Sequence, residues 1–212
     1  MLGEGACALV IAAAAVARRR GARSYARVAG FANRAAGRSR EYRHDAPDLD
    51  VAPAVRALLG AVADAGWRTD QIDLVNDNGS SSKLYDVLEA RAVQAACGTE
   101  LAAHLPIHSV KAALGQHGAG SAAFQAVTAC LSLATGMVPP TINCDHVDER
   151  CGALPVVTTA THLSPARVLV NAIGFGGFYY SALALERVAD AVDGRPRPEV
   201  RWSVETERLG PI

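Results

Sequence analysis

Apolar runs and helical periodicities alternate along the chain. A short apolar run at 6–11 suits a strand, and the Ala- and Arg-rich stretch at 13–20 suits a helix. Residues 24–32, with Tyr25 and Val28, return to a strand pattern, and the Arg-, Gly-, Ser- and His-rich segment 35–48 reads as a loop. Val51, Val55, Leu58, Leu59 and Val62 recur at helical spacing across 50–65, which predicts a helix with one wet face that ends near Gly66. Residues 72–75 predict a buried strand leading into a loop at Gly79, 85–96 the helix after it, and 106–110 another short strand. Two apolar runs at 167–172 and 179–185 flank a glycine cluster and predict a hairpin turning at Gly176 and Gly177. Such alternation places the chain in the α/β class.

The segment 121–137 stands apart. Ala122, Ala123, Phe124, Ala126, Val127, Ala129, Cys130, Leu131, Leu133 and Ala134 leave no charged face, so this helix is expected to be buried nearly all round. Its polar residues, Ser121, Gln125, Thr128, Ser132 and Thr135, form a narrow stripe suited to close backbone approach or helix-to-helix hydrogen bonds. One domain of this size covers such a helix with difficulty, so the chain asks for a partner. Pro139 and Pro140 end the run by removing donors and fixing φ. After 1–188, read as one domain, the tail 189–212 with Pro196, Pro198 and Pro211 shows little periodicity and either wraps a partner or stays free.

Composition narrows the classes. Half of the 212 residues are hydrophobic, and 21 basic residues balance 21 acidic ones. No electrostatic footprint therefore points to nucleic acid or to an anionic membrane. A chain of this length can bury roughly 70% of its unfolded surface in one core. Five cysteines, without a Cys-x-x-Cys, argue against a secreted disulfide framework and a zinc site. The expectation is a cytoplasmic protein with no metal and no cofactor. The apolar stretch from Ala6 to Val16 is followed, not preceded, by Arg18, Arg19 and Arg20, which is the wrong layout for a signal peptide, and it is too short to span a membrane.

Three segments carry the candidate chemistry. They are Asn78-Gly79-Ser80-Ser81-Ser82 with Asp86 and Glu89, then Ser109-Val110-Lys111 running to Gly115-Gln116-His117, then Asn171-Ala172-Ile173-Gly174-Phe175-Gly176-Gly177. In that order they resemble the His-Gly-Thr-Gly-Thr loop with Asp-x-x-Glu, the Ser-x-Lys-x-x-x-Gly-His segment and the Asn-Ser-Phe-Gly-Phe-Gly-Gly loop of β-ketoacyl synthases. Gly3-Glu4-Gly5-Ala6 is similar to a Gly-Glu-Gly element near the middle of a complete synthase, so the resemblance runs from about Gly3 to Arg187 and begins half-way through the family. It implies the C-terminal half of a thiolase-like fold, a mixed sheet covered by helices and incomplete without a partner half. The family's nucleophilic cysteine belongs to the first half. Cys7, Cys97, Cys130, Cys144 and Cys151 stand in no context resembling it, and a buried thiol behaves as a small hydrophobe.

In such synthases, acyl transfer to the cysteine and decarboxylation of a malonyl thioester need imidazoles that donate to the thioester oxygen and stabilise the enolate. Asn78 and Gln116 stand at the two histidine positions, and amides donate hydrogen bonds without exchanging protons near neutral pH. No catalytic residue is therefore expected in the chain alone. Lys111 matches the family's lysine and is expected to form a structural ion pair with Asp86 or Glu89. His117 lies one position past the matching site, where one residue turns direction by about 100°. It is either a structural or partner-facing histidine or one that reaches the site. Gly174, Gly176 and Gly177 let Phe175 swing as a gate or hold it as a core plug, while Phe178 has the size to fill space left by the lost imidazoles.

The lost-histidine pattern resembles the chain-length factor, the silent partner of type II polyketide ketosynthases. The resemblance implies a non-catalytic subunit in polyketide or fatty-acid-like biosynthesis. Its partners would be a ketosynthase subunit or a separately encoded N-terminal half, with an acyl carrier protein met through the complex. The alternative is a two-chain acyltransferase whose cysteine comes from another polypeptide.

Overall fold

The computed structural model describes residues 2–36, 50–174 and 179–188. Nearly all of the expected loop at 35–48, the hairpin turn with Phe175, Gly176, Gly177 and Phe178, and the tail 189–212 lie outside the described residues. The elements are α1 (Ala14–Arg19), β1 (Arg27–Ala35), α2 (Ala52–Asp64), β2 (Leu74–Asn76), α3 (Tyr85–Cys97), α4 (Thr99–Ala102), β3 (Ile107–His108), α5 (Lys111–Leu114), α6 (Ser121–Thr135), β4 (Met137–Val138), β5 (Thr161–His162), β6 (Arg167–Ile173) and β7 (Tyr179–Glu186). Five strands make one mixed sheet in the order β1-β7-β6-β2-β3. β7 runs antiparallel to both β1 and β6, and β2 runs parallel to β6 and β3. β4 and β5 pair separately.

Local signals explain the element ends. Asp50 accepts from the Ala52 amide and Pro53 sits in the first turn of α2, where a missing N–H costs nothing. Ser82 Oγ accepts from the Leu84 and Tyr85 amides at the start of α3. Gly136, at φ 80°, stops α6 two residues before the expected end and turns the chain into β4.

Helices cover both faces of the sheet, unequally. On one side α2 and α3 bury Ala54, Leu58, Ala61, Leu88, Ala92 and Val93 against Val75, Leu169, Tyr180 and Ala182. On the other, α6 sets Ala129 and Leu133 against Leu74, Val168, Val170 and Leu185. Each fully enclosed Leu contributes roughly 1.5–3 kcal/mol. Because neighbouring strand residues point to opposite faces, Phe31 and Tyr179 project on the α6 side, and they remain 53% and 58% exposed.

Gly30 explains the close packing of β1 on α2. A Cβ there would lie 2.4 Å from Ala61 O and 2.5 Å from Ala65 N, both backbone atoms that cannot rotate away. Gly30→Ala is expected to cost about 3 kcal/mol in urea unfolding, because the whole helix must lift from the sheet. A loss below about 0.5 kcal/mol would contradict this account.

Three expectations need correction. Residues 6–11 form no strand. Leu9, Val10 and Ile11 are exposed and find no neighbouring strand among the described residues, and an apolar run without a ladder partner cannot satisfy its backbone as a strand. Ahead of this segment, Leu2 forms an isolated bridge to Gln116. The strand expected at 24–32 forms three residues later, because its register is set by pairing with β7 from Arg27 to Ala35. Finally, α6 is enclosed on one side, not all round. Ser121, Gln125, Thr128 and Ser132 are buried with Ala126, Ala129 and Leu133, whereas Ala122 is exposed and Phe124, Val127 and Leu131 are half-buried. The polar stripe faces the sheet because small side chains and one long amide let the helix reach backbone groups there. No helix among the described residues is long and apolar enough to cross a membrane.

Candidate functional site

Polar residues gather where β2 and β6 run side by side. Asn76, Asp77 and Asn78 leave the end of β2 buried, Asn171 lies on β6, and Glu89 reaches in from α3, fully enclosed. Glu89 Oε1 accepts from the Asn78 amide at 3.2 Å and from Asn171 Nδ2 at 3.0 Å, while Oε2 accepts from the Gly79 amide at 3.0 Å. Asn171 Nδ2 also donates to Asp77 Oδ1 at 3.0 Å. Asp86 Oδ1 accepts from the Ser80 amide at 3.0 Å, so the two carboxylates of the Asp-x-x-Glu motif both hold the loop that starts at Asn78. Ser109 Oγ fastens the same loop by donating to the Gly79 carbonyl.

Gln125 joins this cluster from α6. Its Nε2 donates to the carbonyls of Asp77 and Asn171, each at 2.8 Å, and the Gln125 backbone carbonyl accepts from Asn76 Nδ2 at 2.9 Å. One side chain thus ties α6 to β2 and β6.

The ion pair expected between Lys111 and Asp86 or Glu89 does not form among the described residues. The Lys111 ammonium donates instead to Asn78 Oδ1. The carboxylates are already engaged by the backbone amides of Asn78, Gly79 and Ser80. The charges still act at a distance. Burial pushes Lys111 below its ordinary value against the pull of Glu89, Asp77 and Asp86. Burial pushes Glu89 well above the usual carboxylate range, with the nearby charges of Asp77 and Asp86 adding to it. Burial raises Asp77 to about 6, and raises Asp86 too.

Gln116 and His117 are held elsewhere. Gln116 Oε1 accepts from Ser121 Oγ at 3.1 Å, and its backbone carbonyl accepts from the Gly3 amide at 3.0 Å. The Gly3-Glu4-Gly5 element therefore has a packing role. A Cβ at Gly3 would lie 2.2 Å from Leu114 O. His117 turns its ring onto Phe124, with centroids 4.3 Å apart, and among the described residues no hydrogen bond links it to Asn78, Lys111 or the carboxyls. Burial raises Cys97 and Cys151 to about 11 and raises Cys130, which keeps these groups as unreactive thiols.

Chemically, the arrangement holds a loop and presents hydrogen-bond donors. With Oδ1 engaged by Lys111, Asn78 offers its Nδ2 as a donor and no exchangeable proton. Sequence reasoning singled out Asn78, Lys111, Asp86 and Glu89, and Asn171 as the head of the third motif, but missed Asp77, Gln125 and His108 as members or neighbours of the site. The only advance signal was a long amide within a stripe of small residues on α6.

The family model for "Beta-ketoacyl synthase, C-terminal domain" matches residues 25–145. The 3-oxoacyl-[acyl-carrier-protein] synthase 2 of Coxiella burnetii is 32% identical over 191 residues, which is 90% of this chain and 44% of that protein. A tetracenomycin polyketide synthase ketoacyl synthase alpha subunit from Streptomyces glaucescens is 32% identical over 184 residues, or 86% of this chain and 42% of that one. The chain thus spans less than half the length of these curated relatives. Among solved structures, a type II PKS acyl-carrier protein in complex with its ketosynthase gives a TM-score of 0.74 at 26% identity, covering 83% of this chain and 42% of the other. The ishigamide ketosynthase/chain length factor gives 0.72 at 28%, covering 83% and 41%. The fold is accordingly thiolase-like, and the match covers one part of it.

Proposed function

Since the chain belongs to the β-ketoacyl synthase family, whose C-terminal domain it carries, we propose that it is a non-catalytic, chain-length-factor-like subunit. It would support a partner ketosynthase or partner half in polyketide or fatty-acid-like biosynthesis. The observation that carries this reading is the pair of amides at the two imidazole positions, each engaged in a hydrogen bond. Asn78 is bound by Lys111 and Gln116 by Ser121, and neither side chain can relay a proton. The uncovered α6 side supports the need for a partner, since Phe31 and Tyr179 are exposed and Phe124, Val127 and Leu131 are only half-buried. Apolar surface of this kind is stabilised when covered, by roughly 25 cal/mol per Å². In this reading Phe175 and Phe178 bear on product length, not on chemistry, and an acyl carrier protein is met through the complex.

Co-expression with a ketosynthase encoded beside it is expected to yield a co-purifying complex. The chain alone is expected neither to be acylated by an acyl carrier thioester nor to release carbon dioxide from malonyl carrier. Turnover by the isolated chain, or absence of any complex, would overturn the proposal.

A second reading draws on the buried carboxyls. Asp77, raised to about 6, can exchange a proton near neutral pH, which favours a two-chain acyltransferase with the cysteine on another polypeptide. Lys111→Met separates the two. Loss of turnover with complex yield intact supports the two-chain enzyme, whereas parallel loss of both supports a packing role.

A further inference from the structure

Residues 4–12 are a gap in the hydrogen bonding of the fold. Among the described residues no hydrogen bond reaches any of them, although the segment is tethered at both ends. Before it, the Gly3 amide donates to the Gln116 carbonyl at 3.0 Å, and after it the Ala13 carbonyl accepts from the Val16 and Ala17 amides at the start of α1. Val10 is 98% exposed and Ile11 81%, and from 6 to 12 only Cys7 is half-buried. Water satisfies such a backbone but leaves the apolar side chains uncovered.

Strand chemistry decides what covers it. Cys7, Leu9 and Ile11 fall on one face of an extended segment and Ala6, Ala8 and Val10 on the other, so both faces are apolar. Such runs belong to strands buried on both faces, in sheets flanked by helices. One cover is already in place. A Cβ on Gly5 would lie 3.1 Å from the Phe124 ring, so the segment starts beside the side of α6 where Phe124, Val127 and Leu131 are half-buried. A second copy does not supply the sheet. The outer strands of this chain's own sheet are β1 and β3. β1 is bulged between Val28 and Gly30 and carries Arg27 and Arg34, features that blunt an edge. β3 is two residues long, and Ile107 already bonds on its outer side to Pro155 and Val157. Two copies that pair 6–11 with each other make only a two-stranded ribbon, which is marginal in water. A lipid surface leaves the extended backbone unsatisfied. Resting on the reading that a partner covers the α6 side, we propose that residues 6–11 add as a strand to the open sheet edge of an α/β partner polypeptide. The face of that sheet then lies over Phe124, Val127 and Leu131, and the ladder engages at least every second amide of the segment.

The test follows hydrogen–deuterium exchange in the full chain, alone and in complex with the ketosynthase encoded beside it. Alone, the amides of 6–11 are expected to exchange at the rate of an unfolded peptide. In the complex, at least every second one is expected to slow by about a hundredfold or more. Val10→Pro and Ile11→Pro remove donors that face opposite edges, so at least one of the two breaks a ladder bond. That variant is expected to weaken the complex by about tenfold or more. Urea unfolding of the isolated chain is expected to stay unchanged in both, because no hydrogen bond reaches either residue there among the described residues. A complex in which 6–11 exchanges as fast as in the isolated chain, or which both proline variants form at full affinity, overturns the strand and leaves the partner reading standing. No complex at all overturns both. Protection of 6–11 in the isolated chain that grows with its concentration assigns the segment to a second copy and overturns the proposal.

Discussion

Gln125→Leu is expected to lower the stability of the chain by about 2–4 kcal/mol, because it keeps most of the side-chain volume while removing a donor from two buried carbonyls. The Gln125 side-chain amide links α6 to the paired ends of β2 and β6 by hydrogen bonds, and it is fully buried. The substitution leaves the carbonyls of Asp77 and Asn171 short of a partner and frees Asn171 to shift, which loosens the Glu89 contacts next to it. A neighbour on the same stripe supplies the control. Ser132 is equally buried, yet among the described residues its Oγ has no partner, so Ser132→Ala removes an uncompensated polar group and is expected to be neutral or slightly stabilising. Urea unfolding of the two variants checks the pair. If Ser132→Ala costs as much as Gln125→Leu, the stripe acts through packing alone.

The pH dependence of stability should change by a similar amount in His108→Asn. In the folded chain His108 titrates at about 4, against an ordinary value of 6.5. The unfolded chain therefore takes up the proton first. The stabilisation is complete above pH 6.5 and is lost progressively as pH falls towards 4, by roughly 3 kcal/mol in all. Asp77 and Glu89 work in the opposite sense. Their folded values are raised, so their contribution is fullest at low pH and declines as pH rises through the folded value, about 6 for Asp77. The wild-type curve mixes the two trends, but the difference between wild type and His108→Asn isolates the histidine. That difference is expected to move by roughly 3 kcal/mol between pH 7 and pH 4, in favour of the variant at the acid end. Parallel curves would mean that His108 is not held neutral by burial.

The sequence by itself determined the element types wherever burial is periodic. The Val51 to Val62 spacing becomes α2, the two apolar runs near the end become β6 and β7 in antiparallel register, and 85–96 becomes α3 with one added residue. The order of the three motifs also determined the family, since each lies within one short segment. Tertiary structure alone decided the rest. Whether 6–11 forms a strand depends on a neighbour to bond with, and none lies beside it among the described residues. Which side of α6 faces inward depends on what the sheet offers, and buried carbonyls there select the polar stripe over the apolar one. Lys111 meets Asn78, not a carboxylate, because Glu89 and Asp86 are occupied by the amides of Asn78, Gly79 and Ser80. Asp77 and His108 carry no local signal at all. Their altered proton affinities arise from desolvation, and desolvation is set by segments far apart in the chain, as when Asn171 reaches Asp77 across 94 positions. Spacing along one chain reports hydrophobicity and period, but the partner of a buried polar group is chosen by three-dimensional packing.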